Sequence, residues 1–304
     1  MNLDSNWLAD LKALAECLNF SRAAENRHVT QPAFGRRIKS LERWAGEKLV
    51  DRSTHRLKLT PAGEIMLGAA QDVIRRLELA RSELDQLRFA TTTLTFAATH
   101  ALSFTFFPGW MERLTRSSQS IPIRLLSDHM SECERLMLEG KAQFLLCHYH
   151  PDSRNRLADA DFLYLELASD QLIPVSGRDQ SGKALHVVPA EPDTSIPLLA
   201  FEETSGMGRI LASTLFNHMA EKLRHHTVFT SHLAMALRAL ATEGKGVAWI
   251  PRSLASDELG AEGRLAIAGS SEWAVDVKIV LVRPRSRMTE LAEKFWAAAR
   301  SAVR

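Results

Sequence analysis

Cysteine is scarce in this 304-residue chain, which has only Cys17, Cys133 and Cys147. Three widely spaced thiols do not build a disulfide scaffold and suit a reducing compartment. No run of about 18 apolar residues could span a bilayer. Nor does a basic start lead into an apolar stretch of the secretory kind, so a cytoplasmic protein with no membrane partner is expected. Low-complexity segments and internal repeats are missing. So are a nucleophile elbow, a phosphate-cradling glycine run, a zinc motif and a dinucleotide fingerprint. Their absence argues against an enzyme, a cofactor and a metal site. Excess charge of one sign is also lacking, with 38 Lys and Arg against 36 Asp and Glu. What is present is 45% hydrophobic residues over a length that suits about two domains, each able to bury a core.

The near-neutral total hides a local imbalance. Between Arg22 and Lys58 stand ten basic residues and four acidic ones. A field of that size suits a polyanion, with nucleic acid the first candidate and a solvated basic surface the alternative. The same window carries short helical patterns. Trp7, Leu8, Leu11, Leu14 and Leu18 keep helical spacing behind a cap at Ser5, and Ser21 can cap a second helix over Arg22 to His28. Thr30 stands as N-cap to a third, with Gln31 and Pro32 in its first turn and Gly46 at its end. Two short helices, the second basic, joined by a tight turn make a helix-turn-helix. Leu49 to Leu59 reads as a two-stranded wing carrying Arg52, Arg56 and Lys58. Thr60-Pro61 then opens a long helix whose apolar residues (Met66, Ala70, Val73, Leu77, Ala80, Leu84, Leu87) step by four and three, as a dimer seam does. The alternative is an amphipathic helix packed on its own domain.

From Thr93 onward strands alternate with helices. Strands are predicted at Thr93–Ala98, Ile121–Leu126, Gln143–Cys147, Tyr164–Val175, Leu198–Phe201, Val228–Thr230, Val247–Ile250 and Val275–Val282. Helices are predicted at Leu102–Arg116, Ser131–Glu139, Gly208–Met219, His232–Glu243 and Thr289–Ala302. Such alternation builds doubly wound α/β sheets, whose ligands sit beyond the strand ends.

The stretch from Phe20 to Glu64 resembles the DNA-binding region of LysR-type transcriptional regulators. The matching marks are Ala23-Ala24, Thr30-Gln31-Pro32-Ala33, Ile38, Leu41-Glu42, Gly46, Leu49, Arg52 and Leu59-Thr60-Pro61-Ala62-Gly63. The rest of the chain has the length and layout of the family's effector domain. The resemblance implies a winged helix-turn-helix over residues 1–60 and a linker and dimerisation helix over 61–90. It further implies an effector domain over 91–304, made of two periplasmic-binding-protein-like α/β subdomains. Subdomain I takes about 91–163 and 269–304, and subdomain II about 164–268. Double-stranded operator DNA and a second copy, as homodimer or homotetramer, are the implied partners, and RNA polymerase is a further candidate. Within the family the chain looks most like the hypochlorite-responsive members, through Ala97–Pro108, Ser205–Arg209, Gly246–Pro251 and Arg287–Trp296. Arg27, where most members carry leucine, fits the same subgroup. Gly35 replaces a usual serine and Val50 a usual phenylalanine. Leu233 stands where a second redox-active methionine is expected, which argues against a multi-methionine sensor.

For DNA contact the candidates are Thr30, Gln31, Pro32, Arg36 and Arg37 in the major groove, with Arg52 and Arg56 on phosphate or in the minor groove. Gln and Arg can bond adenine and guanine edges bidentately, and Pro32 can meet a thymine methyl. For the effector the candidates are Thr99, His100 and Ser103 after the first strand, with Thr204, Ser205, Met207 and Thr230 from the second subdomain. Met207 falls where related peroxide-sensing regulators place a reactive cysteine. A thioether there can become a polar sulfoxide, which the helix start at Gly208-Arg209 could meet with N–H groups and a cation. Cys133 and Cys147 read as buried structural thiols, and the His148/His150 pair lacks the company a metal needs. Three functions remain open: a regulator answering to oxidant, a regulator answering to a small organic ligand, and a metabolite-binding enzyme or receptor whose N-terminal helices only associate.

Overall fold

The first 84 residues form one compact unit and residues 85–304 a second. The computed structural model describes residues 3–51, 57–88, 93–115, 121–153, 155–190, 194–216 and 223–303. In the first unit, α1 (Ser5–Cys17), α2 (Phe20–Asn26) and α3 (Gln31–Ala45) close around Leu8, Leu11, Leu14, Phe34, Ile38 and Leu41. Two helix starts lie earlier than the sequence suggests. Asp4 rather than Ser5 caps α1, accepting from the Asn6 N–H, and Asn19 rather than Ser21 caps α2, accepting from the Arg22 N–H. Aspartate and asparagine compete for cap positions as well as serine does, so the sequence left the choice open. Gly46 ends α3 with φ +77°, a left-handed turn that glycine adopts without strain.

The wing base is β1 (Val50–Asp51) paired antiparallel with β2 (Lys58–Leu59). Arg52 and Arg56 lie outside the described residues. The Leu-Thr-Pro-Ala-Gly run has a packing reason. Thr60 Oγ1 donates to the Lys48 carbonyl (2.6 Å) and accepts from the Gly63 N–H (3.0 Å), capping α4 (Pro61–Arg88). At Gly63 a Cβ would stand 2.1 Å from the Leu49 carbonyl oxygen, so only glycine fits. The first turns of α4 pack on their own unit, with Ala70 buried and Met66, Leu67 and Ile74 against the core. Farther along, Val73, Leu77 and Leu84 are exposed. The predicted seam therefore divides, its beginning belonging to the chain's own core and Val73, Leu77, Ala80 and Leu84 lying open, while the Leu87 side chain lies outside the described residues.

In the second unit, one seven-stranded mixed sheet runs in the order β10 (Leu265–Ile267), β6 (Phe162–Gly177), β11 (Val275–Pro284), β5 (Phe144–Tyr149), β3 (Leu94–Thr99) and β4 (Ile123–Asp128), with β9 (Ala248–Pro251) also on β6. Subdomain I contains β3 (Leu94–Thr99), β4 (Ile123–Asp128) and β5 (Phe144–Tyr149), all parallel. The helices α5 (His100–Thr105), α6 (Phe107–Thr115) and α7 (Met130–Leu138) connect them. The predicted single helix over 102–116 is two helices, because Pro108 has no N–H to continue the hydrogen-bond ladder through Phe106. Phe96 and Phe144 stack with centroids 5.1 Å apart, and Phe295 of the last helix (Glu290–Ala302) meets Phe96 edge-on at 5.2 Å.

Subdomain II contains β7 (Ile196–Phe201) parallel to β8 (His225–Ser231). With them come α8 (Gly206–Leu211), wound on as a π-turn over Ala212–Phe216, and α9 (Ala234–Thr242). β9 (Ala248–Pro251), the short helix α10 (Arg252–Ala255) and β10 (Leu265–Ile267) follow. The final helix Glu290–Ala302 is α11. The two subdomains share strands. β6 (Phe162–Gly177) pairs with β11 (Val275–Pro284) along its first half and the crossing region, and with β9 and β10 at its end. The ladder slips between Ile279 and Val280, where the strands cross. Periodicity had marked Tyr164–Val175 as a strand but could not show that it serves two cores.

Candidate DNA-contact face and effector cleft

Thr30, Gln31, Pro32 and Arg36 are exposed on the first turns of α3, as groove-reading residues must be. A side chain at Gly35 would meet nothing within 4 Å, so no packing demand explains the glycine there. Arg37 is half-buried, and its Nη1 lies 3.5 Å from Asp10 Oδ2. Arg27 donates from Nε to the other oxygen of Asp10 at 2.8 Å, and the Asp10 carboxylate is fully buried. The unusual arginine at 27 thus has a partner that the sequence reading missed. Its signal was an aspartate on the apolar face of α1, where no solvated charge belongs. Two arginines on one buried carboxylate offset its desolvation and fix α1 against α2 and α3. Arg37 is thereby partly engaged within the fold, whereas Arg36 has its guanidinium on the open face.

In the effector unit, the C-terminal ends of β3 and β4 and the N-terminus of α8 border a small, partly open cavity of about 30 Å³. Thr99, His100, Ser205 and Met207 all border it. The other three candidates do not. Ser103 Oγ donates to the His100 carbonyl and lies 2.8 Å from Ser127 Oγ, bracing the strand end. The Thr204 carbonyl accepts from Ser131 Oγ at 3.0 Å, and Thr230 is exposed on β8.

Missed by the sequence reading as effector candidates were His129 and His232, and also His148, weighed there only as a metal pair with His150; all three border the same cavity with Asp128. Each comes from a separate segment, so no local motif announced them. The His100 and His232 rings lie 6.0 Å apart, and His129 meets His232 edge-on at 5.6 Å. His100 Nδ1 sits 3.0 Å from Ser127 Oγ. Burial holds the His100 imidazole below its ordinary value; His232 and His129 add to that, and Asp128 opposes it.

Met207 is 8% exposed, and its side chain belongs to the apolar cluster of subdomain II. The donors expected for its sulfoxide are already committed. The Gly208 N–H goes to Ser205 Oγ at 2.8 Å, closing the α8 cap, and a Cβ at Gly208 would stand 2.2 Å from the Glu202 carbonyl oxygen. The Arg209 guanidinium grips Glu134 of α7 through two 3.0 Å bonds, one to each carboxylate oxygen. The Glu134 side chain is fully buried and that of Arg209 is 18% exposed. Glu134 also accepts from the Arg156 N–H, and Arg209 donates to Ser131 Oγ. This pair ties subdomain I to subdomain II beside Met207.

Cys133 and Cys147 are buried. Burial, with Asp128 adding, pushes the Cys133 thiol up to about 12, and burial raises Cys147 further. Neither forms the thiolate that oxidant chemistry needs near neutrality. His150 is turned into its own loop, with Nδ1 accepting from the Asp152 N–H at 3.2 Å.

Two family models match the chain. The bacterial regulatory helix-turn-helix of the lysR family covers residues 5–64, and the LysR substrate binding domain covers residues 88–304. The transcriptional regulator YjiE of Escherichia coli K12 is 31% identical over 303 residues, which is 97% of this chain and 93% of that protein. Among solved structures, the full-length hypochlorite-specific LysR-type regulator HypT of Salmonella typhimurium has a TM-score of 0.59 at 29% identity. That match covers 99% of this chain and 98% of HypT. DarR of Vibrio fischeri, solved in complex with DNA, has a TM-score of 0.57 at 29% identity over 99% of this chain and all of its own. The families and relatives are transcriptional regulators and not enzymes. A winged helix-turn-helix followed by two α/β subdomains on shared crossing strands, matched by these models over residues 5–64 and 88–304, places the chain in the LysR family of DNA-binding transcriptional regulators.

Proposed function

We propose that this regulator answers to an oxidant of the hypochlorite class, read at Met207, and acts on operator DNA as a homodimer or a dimer of dimers. The observation that carries the reading is the size of the cavity beside Met207. At about 30 Å³ it suits only one or a few water-sized molecules. A hypohalous acid is of that size, whereas an organic effector would need more room than the cavity offers in this arrangement. A thioether in an apolar cluster is also where oxidation has most leverage, because the sulfoxide oxygen needs a hydrogen bond that the Met207 surroundings do not supply for nothing. The likeness to HypT, named as hypochlorite-specific, supports the same reading. The α3 face with Gln31 and Arg36 and the likeness to the DNA complex of DarR support operator binding. The exposed Val73, Leu77 and Leu84 of α4 support pairing with a second copy. The domain division carries over from sequence: DNA-binding head, linker helix and effector domain.

The test is mass spectrometry of the hypochlorite-treated protein, coupled to operator binding. Met207→Leu is expected to keep the DNA-binding pattern of the reduced protein after treatment, and Met207→Gln to approach that of the oxidised one. A Met207→Leu protein that responds as the wild type does would overturn the oxidant reading. A response to a metabolite library in its place would establish the organic-ligand alternative.

A further inference from the structure

The node at Asp10 sets two cations against one carboxylate. The Asp10 side chain on α1 is fully buried, while those of Arg27 and Arg37 are 30% and 35% exposed. A buried carboxylate needs a cation held close, and Arg27 at the end of α2 supplies it through the 2.8 Å bond from Nε. Arg37 Nη1 stands 3.5 Å from the second oxygen, beyond the usual length of a charge-assisted bond. Among the described residues Asp10 is the one acceptor that Arg37 meets. A guanidinium has five donors in a planar fork, so Arg37 commits at most one of them, weakly, to the fold. Its place on α3 matters as well. Each residue turns about 100° round a helix. Arg37 therefore sits on the flank of α3, between the open face of Pro32 and Arg36 and the core face of Phe34, Ile38 and Leu41. The flanks of a helix that reads a groove run beside the sugar–phosphate backbone, and a planar guanidinium suits phosphate.

We propose that Arg27 is a positioning residue for DNA binding: by neutralising Asp10 it leaves Arg37 free to take a backbone phosphate beside the groove that α3 reads. Arg27 itself touches no DNA in this arrangement. Without Arg27, Arg37 becomes the cation nearest the buried carboxylate and is drawn inward to it. Loss of Arg27 thus weakens DNA binding through Arg37, and further loss of the Asp10 charge releases Arg37 again. The inference rests on α3 as the helix presented to DNA and is independent of the oxidant reading.

The test is the salt dependence with which the full chain binds a duplex that the wild type selects from a random-sequence pool. Each phosphate contact contributes about 0.9 to the slope of log affinity against log salt. Arg37→Gln is expected to lower the slope by about 0.9, and Arg27→Leu to lower it as much with Arg37 still present. Adding Asp10→Asn to Arg27→Leu is expected to restore the slope, because no carboxylate then holds Arg37 inward. Asp10→Asn with Arg37→Gln restores the net charge without the cation and is expected to stay low, whereas a diffuse charge effect would return it to wild type. Thermal melting verifies that each variant is folded, and Arg27→Gln takes the place of Arg27→Leu if leucine is not tolerated. A wild-type slope in Arg27→Leu would overturn the inference. So would a double variant of Asp10→Asn and Arg27→Leu that stays as low as Arg27→Leu, since Arg27 would then be the phosphate contact itself. Arg36→Ala in the same assay tests the placement of α3. Affinity equal to wild type would overturn that placement, while a loss there beside an unchanged Arg27→Leu would overturn the role of Arg27 alone.

Discussion

Replacing Arg209 with methionine tests the clamp between the subdomains. The substitution keeps a long apolar stem while leaving the fully buried Glu134 carboxylate without its cation. At the effective dielectric that describes such sites, two unit charges about 4 Å apart attract by roughly 4 kcal/mol. Breaking a buried pair on one side typically costs about 3–5 kcal/mol, because the remaining charge is stranded. Here Glu134 retains the Arg156 N–H, and Arg209 is not wholly buried, so the lower end, about 3 kcal/mol, is expected. For a unit of this length, 1 kcal/mol moves Tm by about 2–4 °C, which gives a fall of roughly 6–12 °C. Thermal melting followed by tryptophan fluorescence reads this, since Trp249 and Trp273 are buried in subdomain II. Glu134→Leu combined with Arg209→Met removes both charges and is expected to recover most of the loss, giving a large coupling energy in the double-mutant cycle. A single variant melting within about 2 °C of wild type would refute the reasoning, as would a double variant that melts as low as the single.

Other expectations concern the remaining parts of the molecule. Gln31→Ala is expected to relax operator selectivity by roughly 1–3 kcal/mol at one base pair, read by binding to a panel of single-base operator variants. Arg36→Ala is expected to lower the slope of log affinity against log salt if the residue meets phosphate, and to leave the slope unchanged if it reads a base. Leu77→Lys with Leu84→Lys places charge on apolar positions that are 56% and 59% exposed in the single chain, and light scattering is expected to show loss of the dimer. The effector unit is expected to lose stability on acidification below pH 6.5 through His100. Its folded-state value is lowered, so its contribution is present above 6.5 and lost as pH falls through the folded value. His100→Gln should lessen that decline in melting temperature, and an unaltered decline would refute His100 as its source.

The candidate DNA-contact face was legible in sequence because it is local. Thr30 to Gly46 lie on one helix, so spacing alone exposes Gln31 and Arg36 and buries Phe34, Ile38 and Leu41. The cap at Thr60 and the glycine at 63 are likewise decided within a dozen residues. Asp10 was not legible as a partner of Arg27, because the pair forms only when α1 packs on α2. The same limit applied to the candidate effector site. Thr99, His100, Ser205 and Met207 could be found because they follow strand ends or open helices, where an α/β fold gathers its ligands. His148 lies inside a buried strand, and the sequence offered for it only the spacing from His150, a weak metal signal. Its partner is Asp170 on a crossing strand 22 positions away, held in turn by Ser253 on a helix 83 positions beyond Asp170. The clamp of Glu134 and Arg209 spans 75 positions and two subdomains. Periodicity reports which face of an element is buried, so the sequence determined the elements, the family and the exposed face of α3. Which buried polar groups meet across elements depends on how strands of different cores cross, and only the tertiary structure decided that.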